Sequence, residues 1–316
     1  MQKTLTGRPG FLWGITVHNR GYEAYPEKHL EEHIRLCREL GLNLVRFNFN
    51  PISDGDYAYL DRVVELCRQN GMQVMLVLDS VFHLENPDDF EGYHGAIARR
   101  YKGKIRYYQL FNETDNYCMY KDDGTLYKDD NGKVMDAYNP EHLDQIVPRL
   151  LASVRGFRAN DPDARLIINF CWWHTAIIDY YMEHGIQWDI MGWDWYSDAE
   201  NKSSIRDVFD YIGEKYPDYD MMIGEGNINA WVPYSEEEQA DYVAKFVEAV
   251  YTHPSPRVIG ASLYELLDEP AFERNKDYEG ESHYGFVHCS AAGDIGEPKP
   301  VYKRLQALIR PSVEGG

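Results

Sequence analysis

Two glutamates in the 316-residue chain come at the ends of apolar, strand-like runs. Glu113 follows Ile105–Phe111 and its neighbour Asn112, and Glu225 follows Asp220–Gly224. A carboxylate in such a place is costly unless it is paired or used in chemistry. Two carboxylates across a cleft can cleave a glycosidic bond, because one can protonate the leaving oxygen while the other, ionised, attacks the anomeric carbon. A single glutamate of this kind could instead cap the helix that follows its strand.

This chemistry requires the two carboxyl groups to have different pKa values. We expect Arg46 and the Tyr196 hydroxyl to lie near Glu225 and to keep it charged. A drier, hydrogen-bonded setting would keep Glu113 protonated. The sequence therefore predicts that the surroundings of the two glutamates differ.

Eight strand-like runs alternate with eight amphipathic, helix-like stretches. With about 40 residues per repeat, this pattern predicts one closed parallel sheet, a single (β/α)8 barrel over residues 1–316. The predicted strands are Phe11–Val17, Asn43–Phe49, Gln73–Leu78, Ile105–Phe111, Arg165–Phe170, Asp189–Trp193, Asp220–Gly224 and Val258–Tyr264. The predicted helices are Glu27–Leu40, Tyr57–Gln69, Asp89–Tyr101, Pro140–Arg158, Ile177–His184, Ser203–Lys215, Glu236–Tyr251 and Tyr302–Ile309. The interval between Glu113 and Glu225 is close to three repeats, which places them on strands 4 and 7.

One insertion follows predicted strand 4. The segment Tyr117–Tyr138 contains Asp123-Gly124 and Asn131-Gly132, and both dipeptides favour hairpin turns. We therefore expect a small β-excursion on the face of the barrel that carries the loops.

Reacting groups of such barrels lie at the C-terminal ends of the strands. Flat aromatic rings there can stack on the apolar faces of sugars, although core packing is the alternative for at least half of them. The candidate substrate-binding residues are His18, Arg46, Asn112, Trp172, Trp173, His174, Trp195, Tyr196, Trp231 and Tyr264.

Several of these segments resemble the clan A glycoside hydrolases. Asn112-Glu113 after strand 4 and Glu225 after strand 7 match the pair that carries the chemistry in that clan, and Arg46 matches an arginine that often ends strand 2. The segment Trp188–Tyr196 resembles the clan's strand 6. The clan consists of retaining (β/α)8 enzymes that include cellulases, mannanases, galactanases and xylanases.

The resemblance extends to the C-terminus and implies roles. His283–Val287, followed by Lys299–Tyr302, resembles the closing strand and the Lys-Pro helix start of the clan. By this resemblance Glu113 would be the acid/base and Glu225 the nucleophile. Asn112 would hold the sugar 2-hydroxyl, and the tyrosine of strand 6 would bond the nucleophile.

Two positions depart from the pattern of the clan. Tyr264 stands where many members have a tryptophan at the end of strand 8. Asp79-Ser80 stands where the cellulase and mannanase families often have a histidine. These departures bear on the family within the clan and on the sugar it accepts.

The amino-acid composition limits the kinds of binding partner and cofactor that the protein is expected to have. The chain has 52 acidic and 32 basic residues, a net charge of −20, which repels nucleic acid and anionic membranes and favours a neutral or cationic substrate, as an uncharged carbohydrate would be. The five cysteines are widely spaced and form no CxxC pair, so neither a zinc ribbon nor a disulfide framework is expected. No cofactor and no metal are expected.

The first residues lack the apolar core of a signal peptide, which fits a cytoplasmic protein or a secreted one whose leader has been removed.

We therefore predict a glycoside hydrolase that cleaves a β-linked glycan or oligosaccharide with retention. Long loops after strands 4 and 8 suggest an open cleft and an endo-acting enzyme. One alternative is a metal-dependent, sugar-converting barrel that uses Glu113, Glu225, Asp194 and histidines as ligands. The other is a catalytically inactive carbohydrate-binding barrel.

Overall fold

Eight parallel strands close into a barrel in which β1 pairs with both β2 and β8. The computed structural model describes residues 4–128, 131–196, 203–274 and 276–310, and for residues 276–279 only the backbone. The barrel strands are β1 Leu12–His18, β2 Leu44–Asn48, β3 Gln73–Leu78, β4 Tyr107–Leu110, β5 Arg165–Cys171, β6 Ile190–Trp195, β7 Asp220–Gly226 and β8 Val258–Leu263. The predicted (β/α)8 fold class is confirmed.

Nine α-helices surround the sheet in the described ranges, eight of them close to their predicted places. Asp89–Tyr101 and Glu236–Tyr251 have the predicted bounds. Serine caps fix three helix starts, since Ser53, Ser204 and Ser235 each form a capping box. The helices are α1 Leu30–Leu40, α2 Asp54–Gln69, α3 Asp89–Tyr101, α4 Thr114–Cys118, α5 Pro140–Asn160, α6 Ala176–Glu183, α7 Ile205–Lys215, α8 Glu236–Tyr251 and α9 Pro300–Ile309. None of these helices combines the length and the apolar character that crossing a membrane requires.

Side chains inside the barrel form an apolar layer below and a polar layer above. The lower layer consists of Leu12, Leu44, Met75, Tyr107, Ile167, Ile190 and Met222. Because strand side chains alternate, positions two or four residues further along β2, β4, β5 and β6 also point inward. Those positions hold Arg46, Gln109, Asn169 and Asp194, all buried. The outward-facing residues form the larger core between the sheet and the helices.

Two additions to the barrel lie on the loop side. After β4 comes the short, unpredicted helix α4, and then a tight excursion in which Tyr120 and Leu126 form an antiparallel bridge around Asp123-Gly124. The predicted β-excursion is therefore present, but small. After β8, the antiparallel strands β9 Val287–Cys289 and β10 Ile295–Pro298 lead into α9.

Candidate active site

A cavity of about 500 Å³ opens at the C-terminal ends of the barrel strands, the face predicted to carry the chemistry. Each strand or the segment just after it contributes to its wall. These contributions are His18 from β1, Arg46 and Asn48 from β2, Val77 and Asp79 from β3, Asn112 and Glu113 from β4, Cys171 and Trp172 from β5, Asp194 and Tyr196 from β6, Glu225 from β7 and Tyr264 from β8. The structure thus brings both predicted carboxylates into one cavity.

Backbone conformation explains how Asn112 and Glu113 both face this cavity. Consecutive residues of an extended chain would point to opposite faces of the sheet. Phe111 (φ 61°) and Glu113 (φ 47°) instead adopt the left-handed conformation, which is uncommon for residues other than glycine. The alternation ends there, and Phe111 is fully buried while its two successors line the cavity. Such backbone outliers concentrate at functional sites.

Glu225 reaches the cavity through a bulge in β7. Ile223 pairs with Trp193, but Glu225 pairs with the next residue, Asp194, so Gly224 is an extra residue in β7. In a regular strand without the bulge, Glu225 would share the outward face of Ile223 and point away from the cavity. A Cβ at Gly224 would lie 2.6 Å from Asp194 Oδ1, so any other residue there would have to displace that carboxylate or the backbone.

Both oxygens of Glu225 are engaged by polar partners. Arg46 Nη1 lies 2.7 Å from Oε1, and the Tyr196 hydroxyl donates a hydrogen bond to Oε2. Burial and the charge of Glu225 raise the pKa of Tyr196 well above its usual value, so this phenol remains a donor. Glu225 therefore lies between a guanidinium and an O–H donor, as the sequence predicted.

Glu113 has a different environment. Burial raises the pKa of its carboxyl group to about 7, and the negative charges of Glu225 and Asp115 add to the increase. Hydrogen bonds with the Cys171 thiol and the Asn116 amide oppose it in part, and the latter spans 3.1 Å. No cationic side chain is among these influences. Near neutral pH this carboxyl group can therefore both donate and accept a proton.

Asn112 is oriented by three hydrogen bonds to its side-chain oxygen. Arg46 Nη2 donates to Oδ1 over 2.8 Å, Gln109 Nε2 over 2.8 Å and Asn169 Nδ2 over 3.1 Å. Because Oδ1 is occupied, the amide NH2 is the part of Asn112 that can donate to a ligand. The residue is thus prepared to donate to an oxygen in the cavity.

Asp194 also lines the cavity, although the sequence indicated a role for it only in the metal-dependent alternative. It points inward because Trp193 and Trp195, its neighbours on β6, point outward. Its carboxylate accepts a 2.6 Å hydrogen bond from Asn169 Nδ2, and burial with the charge of Glu225 raises its pKa well above the usual value. Potential ligand atoms of Glu113, Cys171 and Asp194 lie within 4.8 Å of one another.

Four predicted substrate-binding residues do not line this cavity. Trp195 is fully buried on the outer side of β6, so its prediction was wrong; the alternation of the strand places it against the helices. His174 is buried and bonds Asp115 through Nδ1 over 2.9 Å, so this side chain orients α4 rather than a ligand. Trp173 is half-buried; its Nε1 donates to Ser203, and Lys133 lies over its ring. Trp231 lies on the surface, 36% exposed.

Other wall residues come from the segments after the strands, which periodicity cannot place. They are Tyr22, Asn116, Ile228, Asn229, Tyr234, Glu281 and Tyr284. Their positions depend on loop conformation, so no pattern in the sequence indicates them. Asn48 and Asp79, in contrast, stand at strand ends, and position alone could have identified them.

Comparison with known proteins gives a fold match without a sequence match. No protein-family model matches the chain, and no curated protein does. A solved family 1 β-glucosidase from Thermotoga maritima superimposes with a TM-score of 0.73 at 12% identity, covering 96% of this chain and 98% of that one. A structure of β-glucosidase from the same organism in complex with castanospermine gives a TM-score of 0.72 at 13% identity, covering 94% and 97% of the two chains.

A complex of the Thermotoga maritima β-glucosidase with glucoimidazole matches similarly, with a TM-score of 0.70 at 13% identity and coverage of 94% and 97%. At this level of identity the match concerns the fold. The chain therefore shares the complete (β/α)8 barrel of the solved β-glucosidases.

Proposed function

We propose that the protein is a retaining glycoside hydrolase that cleaves a β-linked glycan or oligosaccharide by double displacement. Glu225 is the nucleophile, and Glu113 is the acid/base. The observation that carries the proposal is the contrast between two carboxyl groups in one cavity. Glu225 lies against Arg46 and Tyr196, whereas the pKa of Glu113 is raised to about 7. Two carboxyl groups whose environments differ in this way divide into a nucleophile and an acid.

In the first step Glu225 attacks the anomeric carbon while Glu113 protonates the departing oxygen. A bond forms between the carboxylate oxygen and the sugar, the glycosidic bond breaks, and the leaving group departs as an alcohol. Arg46 and Tyr196 hold the Glu225 carboxylate in position for the attack. The negative charge then moves from Glu225 to Glu113.

In the second step Glu113, now ionised, removes a proton from water as the water attacks the same carbon. The bond to Glu225 breaks, and both glutamates return to their initial states. Esterification of Glu225 removes the charge that helped to raise the pKa of Glu113, which suits Glu113 to be ionised at this stage. Asn112, with its NH2 group directed by three hydrogen bonds to its oxygen, is the proposed donor to the sugar 2-hydroxyl.

We further propose that the substrate extends beyond one sugar unit and is cut internally. Trp172 lines the cavity, and the exposed Trp231 stacks on His283 with ring centroids 4.4 Å apart outside it. One aromatic face in the cavity and another outside it suit a chain of sugars. The solved structures compared above are named β-glucosidases, so the alternative is removal of a terminal sugar.

The test of the reaction is a panel of aryl β-glycosides and β-linked polysaccharides, with the first-formed anomer followed by NMR. We expect turnover that first releases the β-anomer, and Glu225→Gln should reduce it at least about 1,000-fold. First release of the α-anomer would indicate inversion and refute the proposal. For the cleavage mode, oligosaccharides labelled at the reducing end should give mid-chain products, and release of monosaccharide alone would exclude internal cutting.

The metal-dependent alternative rests on one observation, the convergence of Glu113, Cys171 and Asp194. Glu225, another of the ligands that this alternative requires, is bound instead by Arg46. Dialysis of the enzyme against a chelator separates the two proposals. Loss of turnover, restored by a divalent cation, would favour the metal; unchanged turnover favours the two glutamates.

A further inference from the structure

A second group of titratable side chains lies between the ends of β1 and β8, and one of its members, His18, also lines the cavity. His18, Glu265 and Glu269 are 4%, 0% and 3% exposed. His18 Nε2 lies 2.9 Å from Glu265 Oε2 and 3.8 Å from Glu269 Oε1. Potential ligand atoms of the three lie within 4.8 Å of one another. The proposed hydrolysis assigns no role to this cluster.

Hydrogen bonding determines which nitrogen of His18 carries a proton. The Asn48 amide donates from Nδ2 to Asp79 Oδ2 over 3.2 Å, so its oxygen faces the other way. That oxygen lies 3.0 Å from His18 Nδ1 and accepts its proton. In the neutral imidazole, Nε2 then carries the lone pair. A lone pair therefore points at two carboxyl groups.

These acceptor atoms lack matching donors among the described residues. His18 Nε2, Glu265 Oε1 and Glu269 Oε1 are buried without a hydrogen-bond partner there. The Tyr25 hydroxyl donates to Glu265 Oε2 over 3.2 Å, which serves the other oxygen. Buried acceptors that converge in this way require a cation or shared protons between them.

We propose that His18, Glu265 and Glu269 bind one divalent transition-metal cation, for which zinc is the probe. Imidazole nitrogen and carboxylate oxygen bind zinc at about 2.0–2.2 Å, which puts neighbouring tetrahedral ligands about 3.3 Å apart. The two distances from His18 Nε2, 2.9 and 3.8 Å, bracket that value. A dication also balances two carboxylates. Asn48 on His18 and Tyr25 on Glu265 supply the outer hydrogen bonds typical of metal ligands.

The cation would stabilise the aromatic side of the cavity. The His18 ring stacks on Tyr22 with centroids 4.2 Å apart and meets the edge of Tyr264 at 5.6 Å, and both tyrosines line the cavity. Asn48 and the cation would occupy the two ring nitrogens of His18. His18 would then contact a ligand in the cavity through its ring and would form no hydrogen bond to it. The site is structural and does not depend on the proposed hydrolysis.

The test is zinc binding by the full chain after treatment with a chelator. We expect one zinc per chain by elemental analysis after dialysis. Zinc at a hundredfold excess over Kd should raise the melting temperature by about 4 °C. Glu269→Gln should weaken zinc binding at least about tenfold and remove the shift, whereas the exposed control Glu273→Gln should retain both. In chelator, Glu269→Gln should melt at or above the parent, which shows that it folds.

A competing zinc site can be distinguished by a second variant. His29 and His33 lie one turn apart, and each has a buried Nε2 without a partner in the described structure. Zinc binding that is lost in His33→Gln but kept in Glu269→Gln would overturn the proposal. The proposal would also be overturned if the chain binds no zinc. Shared protons would then be indicated by a melting temperature that depends on pH in the parent and no longer does so in Glu269→Gln. An anomalous zinc peak between His18 and Glu269 in crystals would support it without any variant.

Discussion

At the scale of single residues, the difference between Glu113 and Glu225 comes from a few neighbours. Glu225 has a guanidinium and a phenol on its two oxygens, whereas Glu113 has the Asn116 amide and the Cys171 thiol. Sequence position alone predicted both glutamates, Arg46 and Tyr196, because each stands within a predicted strand or shortly after one. It could not predict the thiol beside Glu113, since Cys171 has the same pattern as a buried core residue.

The raised pKa of Glu113 predicts the pH dependence of the proposed reaction. The acid must be protonated, and its pKa is about 7, so kcat/KM should fall tenfold per pH unit above that value. Glu113→Gln, assayed with an aryl glycoside whose leaving group needs no proton, should lose this limb of the kcat/KM profile. Glu248→Gln, on the outer surface, is the control. An unchanged basic limb in Glu113→Gln would assign the limb to another group.

Tyr196→Phe tests the donor to Glu225. Loss of one hydrogen bond to a charged group costs about 1.5–3 kcal/mol, or about 10- to 150-fold in kcat if the bond acts in the transition state. The melting temperature should change little, because the ring remains. Tyr211→Phe, an exposed tyrosine on α7, should leave kcat unchanged. Activity of Tyr196→Phe within twofold of the parent would show that this phenol does not assist the nucleophile.

At the scale of elements, the strands were predictable and their irregularities were not. Short apolar runs between amphipathic stretches indicated eight strands, and the structure has them. The alternation of side chains along a strand places Trp195 outside the barrel, although its type suggested a sugar-binding ring. The bulge at Gly224 and the left-handed Phe111 and Glu113 break the alternation. These local departures bring the two glutamates into the cavity, and no periodic signal reports them.

Gly224→Ala tests whether the bulge positions the nucleophile. The new methyl group would meet Asp194 Oδ1 at 2.6 Å, so either the Asp194 carboxylate or the backbone before Glu225 must shift. We expect at least a tenfold loss of kcat, because small misplacements of reacting groups are costly. Gly213→Ala on α7 has no contact closer than 3.6 Å and should be neutral or stabilising. Full activity in Gly224→Ala would mean that Glu225 does not require this geometry.

At the scale of the whole molecule, acidic side chains predominate both in the chain and in the cavity wall. The net charge is −20, and the cavity wall has five carboxyl side chains, from Asp79, Glu113, Asp194, Glu225 and Glu281. Arg46 is the one Lys or Arg among the described residues of that wall. The barrel matches solved β-glucosidases at 12–13% identity, because the pattern of apolar and polar positions can persist while the residues change.

This field predicts discrimination between neutral and anionic sugars. An aryl β-glucuronide should have a kcat/KM at least about tenfold below that of the matching aryl β-glucoside, since its carboxylate enters a negative cavity. Added salt should reduce the difference, because it screens the long-range part of the repulsion. A glucuronide that is turned over as fast as the glucoside would show that the wall charges are neutralised in the complex.

The proposed double displacement requires Glu225 to form a covalent bond to the sugar. The most direct measurement is mass spectrometry of the protein after reaction with a 2-deoxy-2-fluoro β-glycoside that carries a good leaving group. We expect one sugar per chain on the peptide that contains Glu225, still formed in Glu113→Ala and absent in Glu225→Ala. A sugar attached to Glu113 or Asp194, or turnover with inversion and no adduct, would contradict it.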